Sequence, residues 1–404
     1  MTSATDSERS GGALGRGAAL PSLTGLRFFA ALLVFMAHAA LLNNPLNLQA
    51  PINFYSDDTV AEGLARLFEP SGYVGVSFFF VLSGFVIAWS WRPGERTTRF
   101  WRRRLLKIYP NHVVVWAAVM ILYAGAFTPL HSWLPNLFLV HSWSWAPDTS
   151  SGVNVPAWSL CSELLFYLLF PFLIRPLSRI PERRLWTAAA CAVAAVAAVA
   201  LTARFLIPEG PSLVLAPLPL TQMWFGYLFP PSRLPEFILG VLLARIVASG
   251  RWPRIGAVPV AITAAVAYAA VLVVPSPFNF ALVTVVPIAG IIGTAASADL
   301  RGERTLLNRP LTVWLGAVSF GFYIVQAIPI FYLRHELFGG DTYAFPVATL
   351  LTLLLFAVTL FFGWVLYRFV ETPVMRRWSR PRARERTRPE IKEPAPAAET
   401  GTTP

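Results

Sequence analysis

Ten apolar stretches, each near the length needed to cross a bilayer, decide what this chain can fold into. They run at about 26–42, 71–91, 110–128, 156–174, 185–207, 232–248, 255–274, 278–297, 311–333 and 346–367. A hydrocarbon core ~30 Å thick takes about twenty helical residues. Inside it every backbone polar group must be satisfied within the segment or by a closed barrel. Continuous apolar runs of this length predict an all-α, polytopic membrane protein with about ten transmembrane helices. Only 13% of the residues are charged, about half the share usual in soluble domains.

The charges that remain are unevenly placed. One connection carries Arg92, Arg96, Arg99, Arg102, Arg103, Arg104 and Lys107. Further clusters follow at Arg175–Arg184, Arg251–Arg254 and Arg301–Arg309, and in the tail from Arg376 onward. The alternate connections are poor in Lys and Arg. The positive-inside rule then places both termini in the cytoplasm of a plasma-membrane protein. It also accounts for the net charge of +12 without nucleic acid. Residues 1–23 are expected to be a disordered cytoplasmic N-terminus, 24–373 the transmembrane domain, and 374–404 a disordered basic, Pro-rich tail. Met1–Leu20 is polar and lacks the apolar core of a cleaved signal peptide. Cys161 and Cys191 both fall in apolar runs, which gives neither a disulfide framework nor metal spacing.

The first apolar run carries Arg27 at its start and His38 within it. Eleven helical steps turn the chain by about 1,100°, nearly three whole turns, and advance it by roughly 16 Å. Both side chains therefore fall on one face, a cation at one membrane edge and a titratable base deeper in. Ionisable groups in lipid usually face a protein interior or a wet cavity. The alternatives are a snorkelling Arg and a His bonded to a neighbouring helix. Glu163 lies a few residues inside the outer edge of the fourth run, at a depth similar to His38. It either orients the imidazole and raises its basicity, or pairs with an Arg to hold helices together.

Two further stretches matter. Gly72, Gly75 and Ser83–Gly84 in the second run allow close helix approach. The run Arg102–Arg103–Arg104–Lys107, interleaved with apolar residues, is denser than topology requires. Guanidinium groups bind phosphates bidentately, so it takes a phosphate-bearing cofactor or anionic lipid. Glu236 beside Arg233 reads as a local pair, and Glu371 as the partner of an inner Arg. Gln326 is an amide within a span and needs a partner. His112 reads as near the inner surface, His131 and His141 as outer-loop residues, and His335 as an outer-edge residue. None has zinc-like spacing. The long outer connections 43–70 and 129–155 have the length of functional lids, and Trp133–Val140 is too short to cross.

Seven motifs in order resemble the acyltransferase-3 family of membrane acyltransferases, from about Thr24 to Pro373. They are Arg27-x10-His38, Gly75–Phe85 (GVSFFFVLSGF), Arg102–Pro110 (RRRLLKIYP), Trp158–Pro171 (WSLCSELLFYLLFP), RLPEFILG, LGAVSFGFYIVQ and VETP. The family often has Asp where this chain has Ser77, and His where it has Gln326. His38 is thereby left as the sole buried histidine candidate. The composition resembles the actinomycete branch that acylates macrolide antibiotics. The resemblance implies an acyl-CoA donor, held by Arg102, Arg103, Arg104 and Lys107. It implies an acceptor hydroxyl on a glycan or macrolide, and His38 as base, oriented by Glu163, with Arg27 on the donor's approach. A proton-coupled transporter or flippase built on Arg27, His38 and Glu163 is the rival reading.

Overall fold

A computed structural model describes residues 18–45, 47–124, 128–212 and 218–378. The disorder expected of 1–17 and 379–404 lies outside the described residues. The fold is helical: α1 (Pro21–Ala40), α2 (Asp58–Phe68), α3 (Ser71–Ser90), α4 (Thr97–Val119), α5 (Leu130–Leu137), α6 (Trp158–Arg179), α7 (Leu185–Phe205), α8 (Leu234–Ala248), α9 (Ala257–Val271), α10 (Val285–Leu300), α11 (Pro310–Val325) and α12 (Phe345–Val365), with shorter turns between. A small antiparallel hairpin pairs Asn43–Asn44 with Asn47–Pro51.

Among the described residues six helices are long and apolar enough to cross a membrane. A seventh is gained if α11 and its bent continuation, Ile328–Phe338, count as one span. The expected ten are therefore not all found. Hydropathy reads any apolar run as a span, whereas α8, α9 and α10 have only 15, 15 and 16 residues. At 1.5 Å per residue these reach about 23–24 Å, short of a full hydrocarbon core. Helix α8 is mostly buried, as a short apolar helix inside a bundle should be. The protein is a multi-pass membrane protein in which short α8 packs among the spans, while α9 keeps most of its apolar surface exposed.

Three boundaries move, one at the C-terminal side: Thr372–Trp378 is helical, so 374–378 belong to the helical domain and not to the expected disordered tail. Helix α1 begins at Pro21, and Ser22 donates to Asp299 at 2.7 Å, so the ordered domain starts before residue 24. Helix α4 begins at Thr97 and not near 110. The basic run therefore lies on a helix rather than in a connection. Long Arg and Lys side chains permit this, because their stems cover apolar surface while their heads stay wet.

The bundle centres on α3, which packs between α1 and α8. A Cβ on Gly84 would fall 2.0 Å from the Phe237 carbonyl oxygen, and one on Gly240 1.9 Å from that of Val81. Gly75 similarly meets the Ala30 carbonyl of α1 at 2.6 Å. The glycines let three backbones touch. In the connection after α1, Asp57 caps α2 by accepting from the backbone N–H of Thr59 and Val60, a short side chain satisfying otherwise orphaned donors. Fully buried Arg334 donates to the carbonyls of Ile52, Asn53, Gly339 and Asp341. It thereby fastens the segment after α1 to the end of the bent α11 continuation.

Candidate active site

The basic end of the bundle opens into a cavity of about 710 Å³ between α1, α3, α4, α6 and α11. Its lining includes six cations, Arg27, Arg92, Arg99, Arg103, Arg104 and Lys107, and one carboxylate, Glu163. Arg92 and Arg99 are exposed at the rim. Arg103 is paired with Glu95, and Lys107 with Glu371, which also accepts from Asn111 at 3.2 Å. Arg104 donates to Ser90 Oγ at 3.0 Å and lies over the Phe100 ring. Arg27, Arg92, Arg99 and Arg104 make no ion pair among the described residues. The cavity thus keeps a surplus of unpaired positive charge, suited to a polyanion.

Farther in, the lining turns apolar and then polar. Phe79, Phe80, Val86, Ile87 and Phe320 form its middle. Among the cations, Tyr167 donates to Glu163 Oε2 at 3.0 Å; the polar end beyond the apolar middle is Ser159 and Tyr323. Tyr323 donates to the Pro156 carbonyl at 3.0 Å, with Ser159 Oγ 2.7 Å from the phenol oxygen. Glu163 senses Arg27, Arg104 and Lys107.

Arg102 does not join this cavity. It is exposed and faces a separate shallow surface with Arg96 and Arg99. Helical spacing explains the split: 103, 104 and 107 share a face, and 102 falls off it. Arg92, Arg99, Ser159, Tyr167 and Tyr323 also line the cavity, beyond the site residues that the sequence singles out. Arg92 and Arg99 carried only their charge as a signal, and the hydroxyls are indistinguishable in sequence from packing residues.

His38 is not on the cavity wall. It lies in the last turn of α1, edge-on to the Phe331 ring at 5.3 Å and beside Gln326. The cavity stops at Val76 and Tyr323, level with Val34 and Phe35 of α1. That leaves about one helical turn, or ~6 Å, to His38. The expected pairing of Glu163 with His38 is not made. Counting residues from helix ends misjudged depth. The segment before α6 folds into the protein, with Asn154 and Pro156 buried, so α6 starts below the level at which α1 ends.

Nor is His38 the sole buried histidine. His112 and His141 are fully buried, whereas His38 retains partial exposure. His112 sits fifteen residues into α4, because that helix starts at Thr97, and its Nε2 lies 2.9 Å from the Asn136 carbonyl. His141, in the connection before α6, has its Nδ1 3.4 Å from Cys161 Sγ. Burial, with His112 nearby, lowers the His141 pKa to about 3 and keeps it neutral.

The local pair of Arg233 and Glu236 is present at 2.9 Å, with both side chains at 2% exposure or less. Arg233 also reaches Ser77 Oγ at 3.1 Å and lies over Phe80 and Tyr227. Removing one member of such a pair strands a buried charge, at a cost of about 3–5 kcal/mol. Glu236→Ala is expected to lower the thermal midpoint of the purified protein, measured by fluorescence-detected size exclusion, far more than Glu182→Ala. Glu182 makes only an exposed pair with Arg251.

The Acyl_transf_3 family, described as an acyltransferase domain, matches residues 20–368. The acyltransferase MdmB of Streptomyces mycarofaciens is 40% identical over 371 residues, covering 88% of this chain and 92% of that protein. The peptidoglycan O-acetyltransferase OatA of Listeria monocytogenes is 28% identical over 218 residues, covering 48% of this chain and 30% of that protein. No solved structure matches.

Proposed function

The chain belongs to the acyltransferase-3 family, and from that premise we propose that it transfers an acyl group from acyl-CoA to a hydroxyl of a sugar-containing acceptor. The observation that carries the donor is the cavity lined by six cations, four of them without a carboxylate partner. CoA is a polyanion with a long neutral arm, and the cavity is cationic at its mouth and apolar behind it. Arg92 and Arg99 meet the phosphates at the rim, and Arg103, Arg104 and Lys107 hold them farther in. The pantetheine arm runs along Phe79, Ile87 and Phe320. Arg27 lies about 16 Å from His38 along α1, too far to touch the reacting carbonyl, so it holds the donor. The positive-inside rule makes this mouth cytoplasmic, with both termini on that side of the plasma membrane.

His38 takes the proton of the acceptor hydroxyl. The oxygen attacks the thioester carbonyl, the C–S bond breaks, and the imidazolium returns the proton to the departing thiolate. Tyr323 lines the cavity, and its backbone carbonyl holds the amide of Gln326, the neighbour of His38. A neutral base is required, so turnover falls as pH drops through the titration of His38. The acceptor is a macrolide or a cell-surface glycan. The Streptomyces relative, matched nearly end to end, supports an acyltransferase. The peptidoglycan O-acetyltransferase supports a glycan. Mass spectrometry of acceptors from cells with and without this protein tests the reading. An added acyl mass that depends on the protein is expected. Movement of unmodified substrate with no CoA released would make the protein a transporter instead.

A further inference from the structure

We propose that Gln326 is the positioning residue for His38: its side-chain oxygen accepts the proton of His38 Nδ1, leaving Nε2 as the base. This rests on the acyltransferase reading and concerns its central step. Gln326 is fully buried and sits where α11 breaks, at a 46° bend before its π-helical continuation. Such breaks turn side chains inward and concentrate at functional sites. The bend directs the amide at the end of α1. Gln326 Nε2 donates to the Tyr323 carbonyl at 2.8 Å, which fixes the amide's orientation and turns Oε1 away from that bond.

Two buried polar atoms then lie unsatisfied side by side. His38 Nδ1 and Gln326 Oε1 are both shut off from solvent and lack a partner within strict hydrogen-bond geometry. Leaving both orphaned would cost about 1–3 kcal/mol each. Gln326 is the side chain beside the imidazole, so the two orphans satisfy each other when Oε1 accepts from Nδ1. Phe331, edge-on to the ring at 5.3 Å, limits its tilt. Since Nδ1 is buried while His38 keeps partial exposure, Nε2 is the edge open to an acceptor. An imidazole whose Nδ1 proton is held by an acceptor is a base at Nε2 only. The titratable groups on elements packed against this end of α1 are Asp58, Glu62, Arg66 and Tyr73 on α2 and α3, and Tyr323, Tyr332, Arg334, His335 and Glu336 on α11 and its continuation. None of them acts on the ring. An amide orients the base without adding charge, the task that sequence had given to Glu163.

The test is the pH dependence of kcat for full-length protein in nanodiscs, with acetyl-CoA and an acceptor that the parent protein acylates. Gln326→Glu puts a carboxylate against the imidazole and raises its basicity by one to three pH units. The acid limb of the profile is expected to move up by about that amount. Gln326→Asn, one methylene short, is expected to lower kcat about tenfold or more while KM for acetyl-CoA stays within twofold. It decides the matter if the Glu variant fails to fold. A Glu variant that is folded and active with an unmoved acid limb overturns the role, as does an Asn variant with parental kcat. Absence of turnover by the parent protein would instead overturn the acyltransferase reading beneath it.

Discussion

His38→Gln is expected to insert and bind acyl-CoA like the parent protein, yet to transfer acyl groups about 10²–10⁴-fold more slowly. Gln keeps some hydrogen bonding and similar bulk but cannot take up a proton. The ring packs in the last turn of α1, against Phe331 and beside Gln326, and lines no part of the cationic cavity. Its loss should therefore leave the donor's phosphates in place. The check is donor affinity and single-turnover rate on one purified sample. Joint loss of both would make His38 a folding residue. Glu163→Gln should behave differently. That carboxylate faces the cavity, with Tyr167 donating to it and Arg27, Arg104 and Lys107 around it. Its removal should alter donor KM more than the acid limb of the pH profile.

The second large effect concerns the donor. Replacing Arg103 and Arg104 together by Gln is expected to raise KM for acyl-CoA by about tenfold or more, because hydrogen bonds to charged groups contribute about 1.5–3 kcal/mol each. Arg102→Gln is expected to leave it within about twofold, since Arg102 faces away from the cavity. The contrast separates a phosphate site from a general positive surface. Equal effects at all three positions would return the run to membrane topology alone. The readout is acyl-CoA titration in nanodiscs of fixed lipid composition, because anionic lipid competes for the same cations.

Much of this was legible in the chain. Long apolar runs specify spanning helices because the bilayer permits few alternatives, and α1, α3, α6, α7 and α12 lie where those runs do. Gly75 and Gly84 were readable as contact points, since only a missing side chain admits a neighbouring backbone. What failed was depth and lateral placement. Hydropathy starts the third span near Pro110, although the helix begins at Thr97, because Arg stems tolerate a helix at the membrane edge. That error put His112 at the surface when it is buried in mid-helix. Equal distances from predicted ends placed Glu163 beside His38, but the segment before α6 descends into the protein. Gln326 was visible as an amide in want of a partner. That the partner is His38 depends on the bend at its own position, which no hydropathy pattern encodes.

The most direct measurement is single-turnover transfer by purified protein, given acetyl-CoA labelled in the acyl carbon and a hydroxyl-bearing acceptor. The account predicts label in the acceptor's ester, one for one with free CoA. It predicts near-complete loss in His38→Gln, with parental acetyl-CoA affinity. An acceptor left unlabelled while acetyl-CoA neither binds nor is consumed would contradict it.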